Sequence, residues 1–60
     1  MIPAEDEATI DAMTAYGGLF VRTLAECCHT ADHINYSRLR MAFPKLWKQY
    51  AKMARMARRP

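Results

Sequence analysis

At 60 residues and a net charge of +3, the chain has room for one domain only. It would bury just about 60% of its unfolded surface as a monomer, a deficit usually met by a disulfide, a metal or a second subunit. A hydrophobic fraction of 52% beside 25% charged residues excludes a disordered tail, and so short a chain has little means of enclosing a pocket, which argues against a self-sufficient enzyme.

The first element predicted is a helix over residues 4–28. Pro3 suits a helix start, and Glu5, Asp6 and Glu7 complement the positive end of the helix dipole. Ile10, Met13, Gly17, Phe20, Leu24 and Cys27 recur three and four apart, a heptad-like stripe. Gly17-Gly18 interrupts it, because each mid-helix glycine costs about 1 kcal/mol relative to alanine. Either the helix breaks there or the backbone closely approaches another helix. The unbroken stripe favours close approach.

A polar turn over 29–35 follows. Asn35 is the favoured N-cap, with Ile34 and Leu39 placed as a hydrophobic staple, and Asp32 is the competing cap. The last element is a helix over 36–58, whose stripe is Leu39, Phe43, Leu46, Tyr50, Met53 and Ala57. Pro44 removes a backbone donor within it, so this arm is kinked or split there. The expected architecture is all-α: one domain over 1–60, a helical hairpin that dimerises into a four-helix bundle.

Charge is strongly divided along the chain. Up to Ala31, Glu5, Asp6, Glu7, Asp11 and Glu26 face only Arg22, a balance of −4; beyond it Arg38, Arg40, Lys45, Lys48, Lys52, Arg55, Arg58 and Arg59 face only Asp32, a balance of +7. In a folded-back hairpin, Glu5 to Asp11 would lie beside Arg55 to Arg59 and answer part of that charge. Helical phasing puts Lys45, Lys48, Lys52, Arg55 and Arg59 opposite the apolar stripe, with Arg38 on the same side. This is an ordinary solvated face or, alternatively, a phosphate-contacting stripe.

Two apolar shoulders remain outside the stripes. Tyr36, Arg40 and Trp47 lie on one side of the last arm, and Tyr16, Leu19 and Ala12 flank the first, with Val21 opposite. A hairpin alone would leave them exposed, so a second copy or a protein partner is expected to cover them. Tyr16, Leu19, Tyr36, Arg40 and Trp47 are therefore the candidate partner-binding residues.

Catalytic and metal chemistry find little purchase. Cys27, Cys28, His29 and His33 crowd the turn but are weak metal candidates. Adjacent cysteines on a helix point about 100° apart, and no second ligand pair lies elsewhere. No metal or other cofactor is expected. Neighbouring cysteines are also poorly placed for a disulfide. Together with an acidic start, Met1 to Glu7, and no apolar run near the ~20 residues of a membrane span, they point to reduced thiols in the cytoplasm and no membrane partner. The expectation is a small non-enzymatic interaction protein, a homodimer that binds a protein partner as regulator, adaptor or inhibitor. Its size also fits phage and mobile-element accessory proteins that act on host factors, an expectation from length and not from a motif. A small basic DNA- or RNA-binding regulator is the alternative.

Overall fold

A computed structural model describes residues 2–57 and is helical almost throughout. Helix α1 spans Ala4–Tyr16, α2 Leu19–Thr30, α3 His33–Ala42 and α4 Pro44–Ala57; no strand occurs among the described residues. Pro3 stands just outside α1, its carbonyl accepting the Glu7 N–H at 2.9 Å. The first turn carries Glu5, Asp6 and Glu7, which stabilise the dipole in place of a capping side chain.

The expected helix over 4–28 is two helices. Gly17 and Gly18 adopt extended backbone, at φ −79°, ψ 157° and φ −76°, ψ −173°. Gly17 N–H still bonds to the Met13 carbonyl at 3.0 Å, and the Gly18 carbonyl receives the Arg22 N–H at 2.9 Å, so each helix end keeps its last bond. Straightening the pair would cost about 2 kcal/mol in helix propensity. It would also remove α2 from α1, against which it packs. The close approach at Gly17 is local, not to a distant helix. A β-carbon there would sit 2.5 Å from the Met13 carbonyl oxygen and 2.5 Å from Val21 Cγ1.

Breaking the helix also resets the buried face. Ile10 and Met13 are fully buried on α1, as the stripe requires. On α2 the buried residues are Leu24, Ala25 and Cys28, whereas Phe20 and Cys27 face outward. Val21, one of the expected flank positions, is half-buried against the core, and Ala12 is buried in it.

The second turn is shorter than the expected 29–35, because α2 runs to Thr30 and α3 begins at His33. Asp32, not Asn35, is the N-cap: its Oδ1 accepts the Asn35 N–H at 2.7 Å, and its Oδ2 accepts from Asn35 Nδ2 at 3.3 Å. A carboxylate here satisfies an orphan donor and sits at the positive end of α3. The expected staple does not form, since Ile34 remains exposed.

Phe43, at φ −128° and ψ 61°, separates α3 from α4. Pro44 is the first residue of α4, where its missing N–H removes no intrahelical bond, and the Phe43 carbonyl starts the new ladder by accepting the Trp47 N–H at 3.0 Å. On α4 the deepest residues are Trp47, Tyr50 and Ala54, with Leu46 and Met53 half-buried at the edge of the expected stripe and Ala57 exposed. Residues 58–60, including Arg58 and Arg59, lie outside the described residues.

Helix α1 is the centre of the molecule, packed on both α2 and α4, while α3 touches α4 more lightly. The Cα radius of gyration, 10.7 Å, is close to the ~10 Å of a compact chain this long. The core is one cluster drawn from all four helices.

Candidate functional site

Asp6 is the polar residue around which the last two helices are set. It lies on the first turn of α1 and is only 6% exposed. The Tyr36 hydroxyl on α3 donates to its Oδ2 at 2.8 Å, and Arg40, one turn further along α3, places Nη1 3.5 Å from the same oxygen. The Arg40 guanidinium also lies over the Trp47 ring of α4, 5.4 Å from its centroid. Tyr36 and Trp47 meet edge to face at 6.1 Å. One carboxylate thus ties α1 to α3, and two rings and a cation tie α3 to α4.

The hydrogen bond carries more of this clasp than the ion pair. Arg40 is half-exposed, so its attraction is screened to at most about 1 kcal/mol. The charge-assisted bond from Tyr36 is buried, and losing its acceptor leaves a buried hydroxyl unsatisfied at about 1–3 kcal/mol. Asp6→Ala is therefore expected to destabilise the fold by about 1–3 kcal/mol in urea unfolding. Asp6→Asn, which keeps an acceptor, should lose less; equal losses would show that the hydrogen bond does not dominate.

Burial and the bond to Asp6 both hold the Tyr36 phenol above its ordinary pKa. The sign follows from which state keeps the proton. A phenol raised in the folded protein contributes stability that is complete below about pH 10 and is lost as pH climbs toward the folded value. Urea midpoints should therefore fall on going above pH 10, and Tyr36→Phe should show a shallower fall. An unchanged slope would contradict this.

Of the candidate docking residues, Tyr36 and Trp47 are each only 8% exposed, packed with Asp6 and Arg40 in the clasp. Arg40 keeps its outer edge in solvent. Tyr16 and Leu19 are exposed, flanking the glycine pair, with Phe20 beside them. The five candidates therefore do not form one surface.

The exposed apolar surface nearest the clasp lies where α3 meets α4. Met41 is 80% exposed and borders an open hollow of about 590 Å³ floored by Pro44, Ala51 and the edge of Trp47, with Arg40, Lys45 and Lys48 on its rim. On the other side of Pro44 and Lys45 is a second hollow of about 420 Å³ lined by Phe43 and Leu46. Phe20 of α2 reaches this side, its ring 5.8 Å from that of Phe43. Met41 and Phe20 escaped the sequence reading. Met41 falls outside both expected stripes, and Phe20 lies inside a stripe that the glycine pair interrupts.

The basic candidates Arg38, Lys45, Lys48, Lys52 and Arg55 are all exposed, and Arg59 lies outside the described residues. Neither α3 nor α4 contains a carboxylate. Arg55 of α4 lines a hollow together with Glu5 of α1, whereas Arg58 and Arg59 of the expected neutralisation lie outside the described residues. Among the described residues the ion pair within 4.0 Å is Arg40 with Asp6.

At the α2–α3 turn, Cys28 faces the core while Cys27, His29 and His33 are exposed. Among the described residues no three His, Cys, Asp or Glu side chains gather as metal ligands. Burial, and then the adjacent Cys27, push the Cys28 thiol up, away from the thiolate that nucleophilic chemistry requires. Cys27 should react at once with a thiol reagent at pH 8, and Cys28 only on unfolding. Two equally fast thiols in the folded protein would contradict that assignment.

No helix among the described residues is long and apolar enough to cross a membrane. No protein-family model, curated protein or solved structure matches this chain.

Proposed function

We propose that the chain is a non-enzymatic helical interaction module of the cytoplasm, which docks on a protein partner through the corner between α3 and α4 and acts as its regulator, adaptor or inhibitor. The observation that carries this reading is the placement of Met41, 80% exposed, beside an apolar hollow rimmed by Arg40, Lys45 and Lys48. Apolar surface framed by polar groups is the usual form of a docking site. The buried clasp behind it supplies rigidity, so little ordering cost would fall on binding.

A homodimer is part of the same proposal. Tyr16, Leu19 and Phe20 are 60%, 81% and 61% exposed around the α1–α2 bend, a patch that a second copy would cover. Light scattering should give twice the chain mass, reverting to one chain in Leu19→Asp. A monomer at every concentration would exclude the dimer.

For the docking surface, a photo-crosslinking residue at Met41 should yield a nuclease-resistant protein adduct from a lysate, and the same residue at Thr23 should not. Adducts from both sites alike, or none from Met41, would refute the reading. A second reading, binding of DNA or RNA, is favoured by the absence of any carboxylate from α3 and α4. It predicts binding that weakens steeply with salt and is abolished when Lys45, Lys48 and Lys52 become Gln.

A further inference from the structure

Resting on the proposed docking corner, we infer that its partner presents an acidic amphipathic segment, whose apolar side chains enter the hollow between Met41 and Ala51 and whose carboxylates meet Arg40, Lys45 and Lys48.

The chemistry of floor and rim differs sharply. Met41, Pro44, Ala51 and the Trp47 edge are apolar, whereas the charged groups at the margin are all cations. With no carboxylate on α3 or α4, nothing on these helices repels an anionic ligand; Asp6 of α1 engages Arg40, and Lys45 and Lys48 stand exposed on the rest of the rim. A basic partner would face unrelieved repulsion, and a neutral apolar one would leave three cations poorly solvated. The area also suits a peptide better than a small molecule, since the hollow is open and a second one lies on the far side of Pro44, beside Phe43 and Leu46.

A second copy of this chain fits less well. Its acidic helix, α1, does expose Glu5, Glu7 and Asp11, but the methyl groups of Ala4 and Ala8 beside them would leave the hollow unfilled, and the large side chain on that face, Tyr16, lies at the α1–α2 bend that the proposed dimer covers. Nucleic acid would use the cations and ignore the apolar floor. Base stacking would need an open aromatic face, whereas the Trp47 ring is covered by Arg40 and Tyr36 and Tyr50 are buried.

The test uses the full chain and four probes followed by fluorescence anisotropy. One is a short labelled peptide of glutamates with leucine and phenylalanine at helical spacing. The second has equal charge but serine at the apolar positions, the third is the amphipathic peptide with lysine for glutamate, and the fourth is a short DNA duplex. The acidic amphipathic peptide should bind, the serine version about tenfold or more weakly, and the lysine version not at all. Met41→Asp, at a site too exposed to disturb the core, should weaken binding about tenfold, and Lys45→Glu with Lys48→Glu should abolish it. Circular dichroism would show both variants folded.

Equal binding of the acidic and serine peptides would overturn the inference, as would tighter binding of DNA that Met41→Asp leaves untouched. Self-association that Met41→Asp abolishes would assign the surface to a second copy and overturn it too. If Met41 cross-links a protein yet no acidic peptide binds, the partner chemistry is wrong and the docking reading stands. If neither occurs, both fall.

Discussion

Replacing Ile10 by alanine should remove about 2–5 kcal/mol of stability. Ile10 is completely buried on α1, the helix that packs on both α2 and α4, so the cavity opens inside the single core cluster. A chain of 60 residues has a total of about 3–9 kcal/mol to lose, which makes this one side chain worth a large part of the fold. Urea unfolding followed by helical circular dichroism should show a strongly lowered midpoint. Ile34→Ala is the control, since Ile34 is 63% exposed, and a surface truncation of this kind should stay within about 0.5 kcal/mol of the parent. Equal effects from the two isoleucines would mean that the core is wrongly placed.

The two adjacent glycines should respond to alanine with opposite signs. At Gly17 a new β-carbon would stand 2.5 Å from the Met13 carbonyl oxygen and 2.7 Å from Val21 Cβ. Neither is the free end of a flexible side chain, so the bend itself must shift, at about 1–3 kcal/mol. At Gly18 a β-carbon meets nothing within 4 Å, and the backbone there is extended, a conformation alanine adopts freely. Gly18→Ala should therefore stabilise by about 0.4–1 kcal/mol through the unfolded chain. An uninterrupted helix over 4–28 makes a different prediction, because both substitutions would then stabilise by about 1 kcal/mol each. Thermal melts of the two variants decide between a bend and a straight helix. Stabilisation by both would remove the bend.

The proposed docking surface depends on that bend. With α1 folded back over α4, the first-turn Asp6 reaches Tyr36 and Arg40, and the aromatic shoulder becomes part of the core. In sequence Asp6 resembles its neighbours Glu5 and Glu7, an acid complementing a helix dipole. Its distinct role requires a partner 30 residues away, which no local pattern reveals. Arg40 combines both kinds of information, readable as an interface residue from composition yet fixed by a carboxylate and an indole only in three dimensions.

The amino-acid sequence by itself determined the all-helical class, the helix start at Ala4 and the gathering of positive charge in the second half. These follow from period, capping chemistry and counting, all local in the chain. Whether Gly17-Gly18 bends, and so which residues are left outside, only the tertiary structure decided. The choice weighs about 2 kcal/mol of helix propensity against burial of Leu24, Ala25 and Cys28 beside Ile10 and Met13, and such contacts exist only once distant segments have met. The bend takes Phe20 out of the expected stripe and leaves it 61% exposed, because a short chain with one core can cover only part of its apolar surface.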